Sequence, residues 1–268
     1  MDLARSDRSD VKPFEGGTPA SVDTSDASTL LQSTERNDNL KTVRIQQNVL
    51  AVHERRLLNW LCARMPAWVT PDLLTGLGVF GAVLIFAGYA ASNLSEDWLW
   101  VAIAGYFVQW FGDSMDGSLA RWRKIERPSY GYFIDHSCDG LTTALIVWGI
   151  GTSPYVTMDV VMVALVGYLL LSIHAYLSAR VLGEFKLSYL AAGPTELRFM
   201  LLGLTAAMMV LGKGPGLFGA VSGFDLFVGA IGVILMTLFI VQTLITGRRL
   251  AVASAAETAR IEGIKSAR

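Results

Sequence analysis

Apolar residues in this chain are gathered into six stretches, near 72–92, 97–115, 134–152, 156–179, 196–212 and 224–246, separated by short polar segments. Each approaches or exceeds the roughly 20 residues that carry a helix across about 30 Å of hydrocarbon, so the pattern predicts six transmembrane helices, the fifth being the shortest. Upstream, between Gln47 and Trp68, the period changes: Leu50, Leu57, Leu61 and Met65 recur at helical spacing, while Glu54, Arg55, Arg56 and Arg64 supply charge. This predicts an amphipathic helix that lies in the membrane interface or packs against the ends of the spans, with no chemistry required of it. Residues 1–44 are rich in Ser, Thr, Asp and Gly, hold no apolar run, and read as a disordered tail. That tail lacks the apolar centre of a signal peptide, so the first span does the targeting. The expected organisation is all-α: a tail (1–44), an amphipathic juxtamembrane helix (45–69), a six-helix transmembrane domain (70–249) and a polar C-terminal tail (250–268).

Composition agrees with that pattern: 52% hydrophobic residues, 17% charged and a mean hydropathy of +0.44 exclude an ordinary soluble domain. The cations then orient the bundle. Arg55, Arg56 and Arg64 precede the first span, Arg121, Arg123, Lys124 and Arg127 lie between the second and third, Arg180 and Lys186 between the fourth and fifth, and Arg248 and Arg249 follow the sixth; the opposite connections carry only Lys213. Positive charge stays inside, which places both termini in the cytoplasm. A formal net charge of −1 gives no basic field for nucleic acid. Cys62 and Cys138 form neither a zinc spacing nor an implied disulfide and read as bystander thiols.

The candidate chemistry sits around the connection between the second and third spans. Asp113 and Asp116 are three residues apart, and Asp135 and Asp139 four apart, so on two helices each pair projects from one face. Four carboxylates brought together repel unless a cation neutralises them, and hard oxygen donors suit magnesium, manganese or calcium. Gly117 and Ala120 continue the stripe of the first pair and admit a bulky ligand to the backbone, though small residues are also common at membrane helix contacts. Arg121 adds a bidentate anion donor. His136, between two acids, has the chemistry of a general base. Farther on, Arg180, Lys186 and Arg198 offer phosphate contacts, and Glu196 with Tyr176 or Tyr189 could hold an ammonium group. Topology alone explains those cations equally well.

Laid out this way, the residues resemble the CDP-alcohol phosphotransferase family, whose signature is D-x2-D-G-x2-A-R, eight residues, then G-x3-D-x3-D. Asp113, Asp116, Gly117, Ala120, Arg121, Gly131, Asp135 and Asp139 match it, with nine residues in place of eight in the proline-containing loop. Thr70 to Thr75, Asp135 to Thr143 and Gly193 to Glu196 look most like the choline and ethanolamine phosphotransferase branch. The resemblance implies attack of an alcohol on the β-phosphorus of a CDP-linked donor with release of CMP, in phospholipid synthesis at a cytoplasmic site. It implies Mg2+ or Mn2+, two ions, on Asp113, Asp116 and Asp135. Asp139 is then the base or a ligand of the second ion, and His136 is the alternative base. Gly117, Ala120, Arg121 and Gly131 border the nucleotide. A homodimer is also brought into view.

The favoured donor is CDP-choline or CDP-ethanolamine acting on a lipid alcohol. The alternative is CDP-diacylglycerol acting on a small polar alcohol such as inositol phosphate, glycerol phosphate or serine. Outside this enzyme class stand a cation transporter, which the helix-end position of the acids and the lack of an internal repeat disfavour, and a non-catalytic scaffold.

Overall fold

A computed structural model describes residues 49–182, 194–213 and 221–266. The expected tail over 1–44 lies outside them. Among the described residues the helices are α1 (Val49–Cys62), α2 (Pro71–Ala91), α3 (Leu99–Arg123), α4 (Pro128–Thr152), α5 (Met158–Leu182), α6 (Pro194–Leu211) and α7 (Gly223–Ser266), with a 3-10 turn at Glu96–Trp98. Three stretches are long and apolar enough to cross a membrane by length and composition: Pro71–Ala91, Met158–Leu182 and Gly223–Ala255. The remaining three expected spans are helical, but α3 and α4 carry acids and cations in the halves that meet at the 124–127 turn, and α6 has only 18 residues.

Local chemistry sets the boundaries. Thr70 caps α2, its hydroxyl accepting from the Leu73 N–H at 3.2 Å, and Pro71 takes the first turn, where its missing N–H costs nothing. Helix α3 runs eight residues beyond the apolar stretch ending at 115 and stops at Lys124, whose φ of 57° is the left-handed conformation that closes a helix. Pro128 starts α4 six residues ahead of the apolar stretch that begins at 134. The segment expected as a polar C-terminal tail over 250–268 is continuous with α7 as far as Ser266, because the Ala, Glu and Arg of that segment sustain a helix.

Helices α2 and α3 meet along small residues. A Cβ built on Gly88 would lie 2.4 Å from the Ala102 amide nitrogen, one on Gly81 2.4 Å from that of Gln109, and one on Gly112 2.3 Å from that of Gly78. Residue numbers in each pair add to 190, the signature of one unbroken antiparallel register. Helices α5 and α7 use the same device, with Gly232 against Ala164 and Gly167 against Leu235. Such closeness is how membrane helices gain packing without a hydrophobic driving force between them.

The main core joins Ile85, Tyr89, Ala102, Tyr106, Ile146, Ile150, Val161 and Met208. A second cluster, Leu58, Cys62, Val69, Leu74, Met115 and Leu119, fastens α1 to α2 and α3. Polar contacts reinforce it: the Trp110 indole donates to Glu54 at 2.9 Å, and Arg123 donates to the carbonyls of Val69 (2.5 Å), Pro66 (2.8 Å) and Met65 (3.2 Å). At the opposite end of the bundle the buried Asp225 accepts from the Thr157 N–H and hydroxyl and from the Ser222 N–H, tying the α4–α5 connection to α7.

Candidate active site

The end of α3 and the start of α4 put all four aspartates on the wall of one cavity of about 1510 Å³. Asp116 is held by two donors: the Thr75 hydroxyl reaches one carboxylate oxygen at 2.7 Å and the Gly117 N–H the other at 2.5 Å. Thr75 follows α2's first turn, so the α2–α3 register described above sets where this carboxylate stands. Asp113 receives the Arg198 guanidinium from α6, and the Arg198 Nε donates to the Gln109 side chain at 3.1 Å. Gln109 is 5% exposed, so this is a buried polar link from α6 to the acid site.

On α4, one ligand atom each from Asp135, His136 and Asp139 falls within 4.8 Å of the others. The Asp135 and Asp139 side chains are 48% and 45% exposed, and His136 only 16%, so the acids face the opening while the imidazole is held inside. His136 Nδ1 lies 3.3 Å from Asp135, with its ring edge-on to Tyr132 (4.2 Å) and stacked on Tyr176 of α5 (5.1 Å, 21°). Tyr176, offered above as an ammonium contact, is therefore engaged with His136; Tyr189 and Lys186 lie outside the described residues.

Asp113 and Asp135, one from each pair, lie near enough for their charges to bear on both Asp116 and Asp139. Arg55, Arg121, Arg127 and Arg198 line the same cavity; Arg198 contacts Asp113, while Arg127 is paired with Asp72. Hard oxygen donors with lone pairs left after the Thr75, Gly117 and Arg198 contacts fit a divalent cation. Among the described residues the group whose ligand atoms converge closely enough to hold it is Asp135, His136 and Asp139; Asp113 and Asp116 stand on the wall of the same cavity.

The other expected residues divide. Gly117, Ala120, Arg121, Gly131, Glu196 and Arg198 line the cavity. Gly117 faces the Arg121 guanidinium, which a built Cβ would approach to 3.2 Å, and Gly131 has open space around it. Arg121 is exposed and donates to Ser118 at 3.3 Å. Arg180 is exposed at the end of α5. Several contributors are new. Glu54, Arg55, Leu58 and Asn59 make α1 a wall of the cavity, although sequence alone asked nothing of it. Asp72 and Arg127 pair at 2.5 Å on its rim, both about half exposed. Gln109 had a readable signal, an amide one turn before Asp113 in an otherwise apolar run; the α1 residues had none.

A model of the CDP-alcohol phosphatidyltransferase family matches residues 68–245, about two thirds of the chain and the whole of the acid site. The chain belongs to this family. Among curated members it is similar to cholinephosphotransferase 1 of Danio rerio, 29% identical over 97 residues, and of Gallus gallus, 30% over 107 residues. It is also similar to a phosphatidylinositol phosphate synthase of Cutibacterium acnes, 37% over 91 residues. These matches take in 34%, 35% and 33% of this chain, and 25%, 32% and 40% of the respective relatives. Members of the CDP-alcohol phosphatidyltransferase family are transferases of phosphate-containing groups, and the acid-lined cavity is the part of this chain suited to that chemistry.

Proposed function

We propose that this protein transfers a substituted phosphoryl group from a CDP-linked donor to an alcohol, releasing CMP, with CDP-choline or CDP-ethanolamine as donor and a lipid alcohol as acceptor. The observation that carries the reading is one cavity with two characters: carboxylates and cations at the α3–α4 end, and aliphatic side chains of α4 to α7 beyond them. A water-soluble nucleotide and a lipid need such a meeting place. Its volume exceeds the roughly 300–1,000 Å³ of a pocket for a single small ligand.

In this reading α2 to α7 cross the membrane as six spans and α1 is interfacial; its exposed Leu57 and Trp60, with Trp68 in the connection that follows, face the headgroups. Both termini and the acid site are cytoplasmic, and two copies form a dimer. Asp113, Asp116 and Asp135 hold Mg2+ or Mn2+, and Asp139 either takes the proton of the attacking hydroxyl or completes a second ion site. Bound divalent ions would neutralise charge gathering on the phosphoryl oxygens. The protein's own part is orientation: Thr75 fixes Asp116, Gln109 and Arg198 fix Asp113, and the Tyr132 and Tyr176 rings fix His136, the alternative base. Arg121 lies beside Gly117, where a nucleotide phosphate can approach the backbone.

A second reading, CDP-diacylglycerol donating to a small polar alcohol, is favoured by the similarity to the C. acnes synthase. Purified protein given labelled CDP-choline, CDP-ethanolamine and CDP-diacylglycerol in turn, the last with inositol phosphate, glycerol phosphate or serine, separates the two. Label from CDP-choline or CDP-ethanolamine entering lipid is expected. Label entering product only from CDP-diacylglycerol overturns the favoured donor. No CMP from any donor, with Mg2+ or Mn2+ present, overturns the enzyme reading as a whole.

A further inference from the structure

Beyond the acids the cavity has an open side, where Phe227 and Ile234 of α7 are about half exposed, and a deeper end. It reaches Tyr106, Ile146, Val147, Ile150, Val161 and Leu204, and five of these six are at most 8% exposed, Val147 being partly buried. Side chains that border a cavity while keeping almost no accessible surface mark where it ends. That end is apolar and stiff. Tyr106, the one polar residue among the six, spends its hydroxyl on Tyr89 at 3.1 Å, and Tyr89 in turn pairs with Thr205 at 2.6 Å. The floor thus presents a ring face and branched aliphatic groups, with its hydroxyls already matched to one another. A polar substrate group gains nothing there, whereas a hydrocarbon chain fits.

We propose that this closed end is an acyl-chain ruler: Ile150 and Val161 stop the tail of the lipid substrate and so set which chain lengths the enzyme accepts. The inference rests on the proposed transfer to or from a lipid, and it applies to whichever lipid carries the tail, a diacylglycerol acceptor or a CDP-diacylglycerol donor. Helix α4 supplies the scale. Asp139 and Ile150 are eleven residues apart on it, a rise of about 16 Å at 1.5 Å per residue. An extended chain advances about 1.2 Å per bond, so some 13 bonds span that depth. Val147 stands three residues nearer the acids, about 4.5 Å, or close to four bonds.

The test uses the full chain in detergent and a ladder of lipids with matched acyl chains from 8 to 18 carbons, offered both as diacylglycerols with CDP-choline and as CDP-diacylglycerols with inositol phosphate, with CMP release as readout. Val147→Phe is expected to move the preferred length down by about four carbons, lowering the rate with the longest chains about tenfold relative to eight-carbon chains. Val161→Ala is expected to move the preference up by one or two carbons, and as a large-to-small change it keeps the test open if the phenylalanine variant does not fold. The ladder in which the shift occurs identifies the lipid that owns the site. An unchanged length profile in either folded variant, with CMP release intact, overturns the ruler while leaving the transferase reading standing. No CMP release from the unmodified protein overturns both.

Discussion

Gly112→Ala should damage this protein out of proportion to one methyl group. The added Cβ would sit 2.3 Å from the Gly78 nitrogen, 2.5 Å from the Leu74 carbonyl oxygen and 2.7 Å from the Gly78 Cα, all backbone atoms that cannot swing aside. Ordinary contact begins near 3.4 Å, so α2 and α3 must separate by about 1 Å at this point. Overpacking of this kind costs about 1–3 kcal/mol. Asp113 is the next residue and Asp116 lies one turn on, so the same displacement stretches the 2.7 Å Thr75–Asp116 hydrogen bond out of range. A shift of about 1 Å in a reacting constellation can lower turnover about 10²-fold. The assay is CMP release with saturating substrates, alongside the thermal midpoint in detergent. Two companions separate the effects. Gly88→Ala makes an equally severe clash, 2.4 Å from the Ala102 nitrogen, but at the far end of the same seam, so it should lower the midpoint similarly and turnover far less. Gly76→Ala, with nothing within 4 Å of its Cβ, should leave both unchanged or raise the midpoint slightly through helix propensity. Wild-type turnover and midpoint in Gly112→Ala would refute the claim that the glycine seam sets the position of the acids.

Asp116→Asn and Asp139→Asn are each expected to abolish CMP release while the protein still inserts in membranes and runs as wild type on size exclusion; full activity in either purified variant removes the metal-site assignment. EDTA should silence the enzyme and added Mg2+ or Mn2+ restore it, so activity that survives exhaustive chelation counts against the same assignment. Arg123→Ala removes three donated hydrogen bonds to the 65–69 segment and should cost about 1–3 kcal/mol, read as a lower midpoint and faster proteolysis ahead of Pro71. Burial pushes the Cys62 thiol above its ordinary pKa, so at pH 8 it holds less thiolate than a free cysteine. Its labelling by a maleimide should be slow until the protein is denatured, and rapid labelling of the native protein would show that α1 is not docked as described.

How much of this was legible in the sequence follows from the range of each interaction. Helix positions came from runs and breakers that act within a few residues: Thr70-Pro71 starts α2, and Pro128 starts α4. The acids were legible because their spacing of three and four encodes a shared helical face. Arg198 on Asp113 was not, since 85 residues separate them and nothing in either segment specifies a mutual approach. The docking of α1 stayed one of two readings for a similar reason: its apolar face satisfies a membrane surface as well as it satisfies Leu74, Met115 and Leu119, and hydropathy does not distinguish the two.

The α2–α3 register shows the intermediate case. Glycines and alanines at 78, 81, 88, 102, 105 and 112 follow spacings of three and seven, and read singly each is only a small residue in an apolar run. Paired across an antiparallel hairpin, they fix one alignment, because sliding either helix by a turn puts Leu74, Ile85 or Gln109 where a backbone now sits. That alignment opposes Leu74 to Asp116, with Thr75 alongside, and so the residues without functional groups decide whether the hydroxyl meets its carboxylate. The catalytic signature specifies which atoms are offered; the glycine seam, which it does not mention, specifies where Asp113 and Asp116 stand relative to α2. A family member could therefore keep all eight signature residues and still lose its site through an alanine at position 112.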